Sequence, residues 1–337
     1  MITNNTKKQV KAVGLISGGL DSTLAARIVK DLGVDVHGVY FAMPWGCCDK
    51  QKAIAAAENI GIRLIVLQLD ERYLEIIRKP KHGYGSALNP CVDCRIHMFS
   101  RAAQYMRHIE ADFIFTGEVL GQRPMSQKKN SMRWIEEGTG LQGRLLRPLS
   151  AQLLDPTIPE LENKIDRNKL LDLSGRSRKP QLELVEGFGI SEYSLPAGGC
   201  ALTDSSFAER MKDTLKYGYR NYRETIALKW GRHFRLNENY KIILGRDEAE
   251  NEALMQYAHP DDYIMHPSQG NGPTLILKGP AADQKLLRQC AGFIQHFSKM
   301  REDESIEVCY WQIKEKNNQN YLQSLKITES FLESVKI

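Results

Sequence analysis

The chain has 337 residues, 42% of them hydrophobic and 26% charged, with a formal net charge of +5. This length suggests about two domains of roughly 150 residues each, and the composition suits a globular chain that buries a core. No apolar run approaches the roughly 20 residues of a membrane span, and Met1-Ile2-Thr3-Asn4-Asn5-Thr6-Lys7-Lys8 lacks the apolar stretch of a secretory signal; a cytoplasmic protein with no membrane partner is expected.

In chain order, Val10–Ser17 reads as a short buried strand running into a glycine turn. Leu20, Leu24 and Ile28 then recur every four residues, as one helical face does. Val34–Phe41 is predicted as a second strand, Lys50–Asn59 as an alanine-rich helix and Ile62–Leu69 as a third strand, with further strands at Asp112–Thr116 and Arg144–Leu149. Alternation of this kind calls for an α/β fold, a parallel sheet with helices on both faces. Ligands of such sheets gather beyond the carboxyl ends of the strands. From about residue 226 the pattern changes to strands at Tyr240–Leu244, Asp262–His266, Thr274–Lys278 and Ile306–Gln312, with a helical face of Leu286, Cys290, Phe293 and Phe297. The expected division is therefore a domain over 8–225 and a smaller α+β domain over 226–337.

Charge is distributed unevenly. Residues 1–225 hold 32 Lys+Arg against 26 Asp+Glu, and residues 226–337 hold 14 against 15. The segment 120–150 carries Arg123, Lys128, Lys129, Arg133, Arg144 and Arg147 against Glu136 and Glu137. Such a stretch can attract a polyanion.

The first strand leads into Ser17-Gly18-Gly19-Leu20-Asp21-Ser22. Glycines let a backbone approach a ligand closely and adopt conformations closed to other residues. Their amides, with those opening the helix, can cradle phosphate oxygens. Ser17 and Ser22 add hydroxyl groups. Asp21 would repel phosphate unless a cation lay between them, and Mg²⁺ favours carboxylate and phosphate oxygens together. A lone Gly-Gly would be no more than a tight strand–helix turn; the whole hexapeptide in this position is far more specific.

The hexapeptide after the first strand resembles the PP-loop of the ATP pyrophosphatases, a group that includes GMP synthetase, NAD synthetase, asparagine synthetase and the tRNA thiolation enzymes. The resemblance implies a Rossmann-like sheet of the adenine-nucleotide α-hydrolase type. It also implies cleavage of ATP between the α- and β-phosphates, transfer of AMP to a substrate oxygen, and a pyrophosphate site at Ser17, Gly18, Gly19, Asp21 and Ser22. The Walker-type lysine of γ-phosphate transfer is absent, in agreement. Phe41, Thr116, Gly117 and Glu118 end their strands at the same edge and are candidates to line the nucleotide pocket, although Phe41 equally suits core packing.

Seven cysteines, an odd number in a chain without an export signal, argue against a disulfide scaffold and for metal or redox chemistry. In Asn89-Pro90-Cys91-Val92-Asp93-Cys94-Arg95, Val92, Ile96, Phe99, Ala103 and Met106 form the buried stripe of a helix that opens near Cys91. Cys91 and Cys94, at a helix start, are expected to have lowered thiol pKa values and to share a metal or exchange a disulfide. Pro196-Ala197-Gly198-Gly199-Cys200 sets a third cysteine behind two glycines. A structural zinc site would normally take four ligands, whereas three thiolates and an open position suit a cluster with one reactive iron. Cys47 and Cys48 read as structural, and Cys290 and Cys309 as core.

NPCVDC and PAGGC, with Arg147-Pro148-Leu149 between them, resemble the 2-thiouridylase and 4-thiouridine synthetase group over about 8–210. That resemblance implies a [4Fe–4S] cluster on Cys91, Cys94 and Cys200, with ATP and Mg²⁺ at the loop and tRNA as substrate. The sulfur source is expected to be sulfide or a sulfur-donor protein, and a homodimer is the expected assembly. Asp21, Cys91, Cys94 and Cys200 are the candidate catalytic residues of an ATP-dependent tRNA-uridine sulfurtransferase giving 4-thiouridine or 2-thiouridine. Compared with the 4-thiouridine synthetases, the chain lacks an RNA-binding region ahead of the loop and a rhodanese domain behind it. Compared with typical 2-thiouridylases, it has an extra cysteine in CxxC. A persulfide on Cys94 or Cys200 is the rival sulfur carrier. An amide-forming PP-loop ligase and a non-catalytic RNA-binding protein are the rival functions.

The tail, with His266-Pro267, Gly272-Pro273-Thr274-Leu275-Ile276-Leu277-Lys278, Ala291-Gly292-Phe293 and Phe297-Ser298-Lys299, resembles the RNA-binding domain of the NFACT ribosome-quality-control proteins over about 235–315. Without excess positive charge such a domain binds RNA weakly alone. It is expected to act with the 120–150 segment and with Arg176, Arg178 and Lys179.

Overall fold

Strands buried on both faces need an apolar residue at nearly every position, and in the first half of the chain only the short predicted runs supply that. In the computed structural model, which describes residues 9–46, 49–194, 199–219, 221–315 and 317–337, these runs become β1 (Lys11–Leu15), β2 (Asp35–Ala42), β3 (Arg63–Gln68), β4 (Phe113–Thr116) and β5 (Leu145–Leu146). They form one parallel sheet in the order β3-β2-β1-β4-β5. The accompanying helices are α1 (Leu20–Asp31), α2 (Lys50–Ile60), α3 (Arg72–Arg78), α4 (Cys91–His108), α5 (Lys129–Thr139), α6 (Ile158–Leu161) and α7 (Lys179–Gly187).

Side chains alternate across the sheet and so build two cores. Ala12, Phe113, Phe115 and Leu146 pack with Leu24, Ala25 and Ile28 of α1 and Val185 of α7. Val13, Ile114 and Leu145 face the other way, onto Phe99, Ala102 and Met106 of α4 and Ile135 of α5. The chain leaves β1 toward β2 and β3 and returns on the opposite side through β4 and β5. The strand order therefore reverses between β1 and β4, where the loops that follow the two strands diverge and leave a crevice.

Contacts divide the chain at Thr203/Asp204, into Met1–Thr203 and Asp204–Ile337, ahead of residue 226, where the sequence pattern changes. The second unit contains α8 (Ser205–Tyr217), β6 (Arg232–Arg235), β7 (Lys241–Leu244), α9 (Glu248–Met255), β8 (Tyr263–Pro267), β9 (Leu275–Lys278), α10 (Gln284–His296), β10 (Glu307–Gln312), β11 (Asn320–Gln323) and α11 (Glu329–Val335). Its sheet is antiparallel, in the order β11-β10-β8-β9-β7-β6. One face packs Leu244, Met265 and Val308 against Leu287, Cys290 and Phe293 of α10. The other packs Ile243, Ile264, Ile276 and Cys309 against Ala227 and Leu254. Cys290 and Cys309 are thus core residues, as read. α8 joins this unit through charge: Asp213 accepts Arg235 Nε and Nη2 at 2.9 and 2.7 Å and Lys241 Nζ at 2.8 Å.

No helix of the described residues is long and apolar enough to cross a membrane. Cys47 and Cys48 lie outside the described residues.

His233 in β6 is 1% exposed. Its Nε2 lies 2.8 Å from the Trp230 carbonyl, and its Nδ1 has no hydrogen-bond partner. Burial, with the positive charges of Lys241 and Arg210, holds its pKa well below the usual 6.5. Below pH 6.5 the unfolded chain therefore binds a proton that the folded chain refuses. The stability held above pH 6.5 falls as the pH falls, by at most about 1.4 kcal/mol per unit. Urea unfolding followed from pH 7.5 to pH 5 should show a loss approaching 2 kcal/mol, and His233→Leu should remove most of that slope.

Candidate active site

The loop after β1 occupies the reversal point. Gly18 has φ +74°, and a Cβ on it would lie 2.5 Å from the backbone nitrogen of Ala53, so this position requires glycine. Gly19 differs: its φ of −86° is open to any residue, and its value lies in leaving the start of α1 uncovered. It caps α1 without a side-chain hydrogen bond, so the positive end of a 12-residue helix opens beside the loop. Ser22 Oγ donates to the Gly19 carbonyl at 2.9 Å and accepts Ser17 N–H at 3.2 Å. Ser17 Oγ accepts Gly19 N–H at 3.3 Å and lies 3.0 Å from Ser22 Oγ. The two hydroxyls thus brace the turn, a role the hexapeptide alone did not disclose.

Asp21 is the second residue of α1. Its Oδ2 accepts Gln122 Nε2 at 2.7 Å, while its Oδ1 is buried with no hydrogen-bond partner among the described residues. Burial raises its pKa, and Gln122, Arg178, Gln181 and Arg123 act against that rise. A buried carboxylate oxygen without a donor is costly, and a hard divalent cation bound to oxygen ligands removes the cost. The donor chemistry here fits Mg²⁺. On the other side of the crevice, a Cβ on Gly117 would lie 2.5 Å from Asp21 C and O and from Ser22 N. The loop after β4 therefore rests on the backbone that carries Asp21.

Thr116 turns inward. It is 2% exposed, accepts Glu118 N–H at 3.3 Å and donates to Glu118 Oε2 at 3.4 Å. Glu118 is ion-paired with Arg95 and Arg147, each at 3.1 Å, and Arg147 also binds Glu136. Arg147, read from sequence as part of a basic surface, is 3% exposed. It has been drawn inside by these two carboxylates, because a buried guanidinium needs paired counter-charge. Arg178, expected to help hold RNA, is near enough to Asp21 to lower its pKa. Phe41, the penultimate residue of β2, is half-buried and packs against the core beneath α4.

Cys91 is the first residue of α4. Asn89 Nδ2 donates to Cys91 Sγ at 3.1 Å, and the buried Tyr73 hydroxyl donates to Cys94 Sγ at 3.0 Å. The Cys200 segment is tied on three sides. Ser194 N–H donates to the Gly18 carbonyl at 2.7 Å, Ala201 N–H to the Trp45 carbonyl at 3.0 Å, and Leu88 N–H to the Leu202 carbonyl at 3.1 Å. These bonds run to the PP-loop, to the turn after β2 and to the turn entering α4. Burial raises the pKa of Tyr73 well above 10, and charge on Cys94, Cys200 and Cys91 raises it further, so all three thiols lie within electrostatic reach of one phenol. Pro196, Ala197 and Gly198 lie outside the described residues.

The expected lowering of both thiol pKa values does not hold for Cys94. Burial pushes its pKa up to about 11, against the smaller opposing effects of Tyr73 and Arg95. Desolvation of a thiolate outweighs the helix terminus here. Among the described residues no group of three His, Cys, Asp or Glu side chains is arranged to hold a metal ion. A [4Fe–4S] cluster differs from a single ion in binding each thiolate through a different iron, and three thiols with amide and phenol donors on two of them are the right chemistry for it.

Three residues of this region escaped the sequence reading: Tyr73, Gln122 and Gln181. Gln122 lies inside the 120–150 segment, so position could have flagged it, and Asn89 was quoted in the cysteine motif without a role. Nothing local marks Tyr73 or Gln181.

A phosphate-cradling loop at the reversal of a parallel sheet, with an aspartate and no Walker lysine, is the layout of the PP-loop ATP-using proteins. Residues 7–157 match the family described as thiamine biosynthesis protein (ThiI), and residues 231–333 match the NFACT protein RNA binding domain. The first region is thus similar to that ThiI family and the second to the NFACT RNA-binding domain. The chain is 33% identical over 113 residues to a tRNA-specific 2-thiouridylase MnmA of Sulfurimonas denitrificans, covering 31% of this chain and 33% of that protein. It is 29% identical over 163 residues to the MnmA of Methylobacterium radiotolerans, covering 44% and 42%. The chain thus spans only about a third to two-fifths of the length of these curated relatives. A crystal structure of a 4-thiouridine synthetase–RNA complex with bound ATP aligns at 22% identity and TM-score 0.39, over 61% of this chain and 50% of that one.

With a pKa of about 11, Cys94 should react as a thiol, not a thiolate, near neutrality. Iodoacetamide labelling of iron-free protein, read by peptide mass spectrometry, should rise about tenfold per pH unit at Cys94 between pH 7.5 and 9.5; a plateau across that range would place its pKa near or below neutrality.

Proposed function

We propose that the chain is an ATP-dependent tRNA-uridine sulfurtransferase. A uridine carbonyl oxygen is a poor leaving group. In the proposed reaction that oxygen attacks the α-phosphorus of ATP, the bond to the β-phosphate breaks, and pyrophosphate departs. The oxygen then leaves as AMP when a sulfur nucleophile attacks the same carbon. The loop amides and the start of α1 receive the pyrophosphate; Asp21 is the residue that would hold Mg²⁺, which would supply positive charge beside the leaving group. Arg123 and Arg178, whose charges are felt at Asp21, supply further positive potential for the polyphosphate. Cys91, Cys94 and Cys200 hold the sulfur-delivering group. A [4Fe–4S] cluster on three thiolates supplies, when bound, an iron with an open position for sulfide.

The observation that carries this reading is the backbone tie between Ser194 and Gly18. It supports a shared reaction space, because Ser194 lies six positions before Cys200, whose neighbours Ala201 and Leu202 are bonded to the turns after β2 and before α4. The NFACT-type region is proposed to hold tRNA, with sulfide or a donor protein as the sulfur source.

The reading separates from its rivals by experiment. Asp21→Ala should abolish ATP–pyrophosphate exchange by more than about 100-fold, whereas Cys200→Ala should keep exchange and lose sulfur transfer. An amide-forming ligase would keep its full activity in Cys200→Ala. Anaerobically purified protein should be brown with about four irons per chain; colourless, fully active protein would move the sulfur to a persulfide on Cys94 or Cys200. Mass spectrometry of tRNA nucleosides from a strain lacking the gene should show loss of 4-thiouridine or a 2-thiouridine. A thiamine requirement with intact thiouridines would favour the activity named by the matched family's description.

A further inference from the structure

We infer that Gln122 and Gln181 form a buried amide relay that orients the Asp21 carboxylate for the cation of a Mg²⁺·polyphosphate ligand. The inference rests on the nucleotide reading above and extends it to two residues outside the loop. Gln122 Nε2 donates to Asp21 Oδ2 at 2.7 Å, and Gln181 Nε2 donates to Gln122 Oε1 at 3.1 Å. Gln122 is 7% exposed and Gln181 1%, so water does not substitute for either bond.

The polarity of the relay follows from its end. An ionised carboxylate only accepts hydrogen bonds, so Gln122 must turn its NH₂ toward Asp21. Its carbonyl oxygen then faces Gln181, which must donate in turn. Reversing either amide would set oxygen against oxygen at one junction. The chain of dipoles therefore has one favourable direction, and buried hydrogen bonds of this kind reinforce one another.

Both glutamines are held from behind. Gln122 N–H donates to the Val119 carbonyl at 3.1 Å, and the flanking Gly121 N–H donates to the Gln127 carbonyl at 2.7 Å. The Leu120 carbonyl accepts Gly175 N–H at 2.7 Å, and Leu120 N–H donates to Ser150 Oγ at 2.9 Å. Gln181 lies on α7, whose Val185 packs in the same core as Leu24 and Ala25 of α1. The relay therefore spans from one element supporting α1 to the side chain at the head of α1.

Its consequence falls on Oδ1. With Oδ2 committed to Gln122, the buried and unpartnered Oδ1 is the oxygen left for a cation. Gln122 and Gln181 are positioning residues: neither is assigned contact with the reacting atoms. Without the relay the carboxylate can rotate, and neither oxygen is fixed.

Calorimetric titration of the full chain with pyrophosphate in Mg²⁺ tests the relay. Gln122→Met should weaken Mg²⁺·pyrophosphate binding by about 10–100-fold and raise the Mg²⁺ concentration needed for half-saturation. Gln181→Met, which removes the donor that orients the Gln122 carbonyl, should give a smaller loss of about 3–10-fold. Because the two amides are coupled to each other, the double variant should lose clearly less than the product of the two single losses. Thermal midpoints within a few degrees of wild type separate orientation from unfolding, and Gln181→Met carries the test if Gln122→Met does not fold. Wild-type binding with unchanged single variants, or losses that simply multiply in the double variant, would overturn the relay while leaving the nucleotide reading in place. Wild-type protein that binds no Mg²⁺·pyrophosphate and exchanges none into ATP would overturn that reading and the relay with it.

Discussion

The first unit is organised around a carboxylate held out of water. Asp21 sits at the head of α1 with one oxygen satisfied by Gln122 and the other without a hydrogen-bond partner among the described residues. Fixing a charge in that state needs neighbours that cannot move away. Gly117 presses against the same backbone, at a distance where even a methyl group would collide. The reversal of strand order between β1 and β4 opens the space, and this contact stops it from closing on itself.

The sulfur side is built on a different principle. Thiols are poorly solvated compared with carboxylates, so burial costs them little until they ionise. Cys94 lies where burial favours the protonated form, and its neighbour Tyr73 offers a donor that becomes valuable only once the sulfur carries charge. Such surroundings suit a sulfur that ionises on ligation better than one that waits as a free nucleophile.

Much of this was legible in the sequence because it is local. The strands of the first sheet announce themselves by short, largely apolar runs, and the glycine hexapeptide by its place between strand and helix. The opening of α4 at Cys91 followed from the stripe of Val92, Phe99, Ala103 and Met106. What was not legible depends on distant partners. Gln181 meets Gln122 across 59 positions and Arg147 meets Glu118 across 29, and no spacing rule predicts either. The edge strands β6 and β11 went unread because Arg232–Arg235 and Asn320–Gln323 carry too few apolar residues for an alternation to register. The pKa of Cys94 was misjudged for a related reason: a helix terminus is visible in sequence, and burial is not.

The salt-bridged anchor of α8 bears on how this protein was assembled from parts. The matched RNA-binding region begins at residue 231, yet two of its cations, Arg235 and Lys241, find their counter-ion at Asp213. A gene fragment inherited only from 231 onward would bring buried positive charge with no acid to meet it, at a cost of several kcal/mol. The folding unit therefore begins ahead of the family match, with α8 supplying the acid that the strands require.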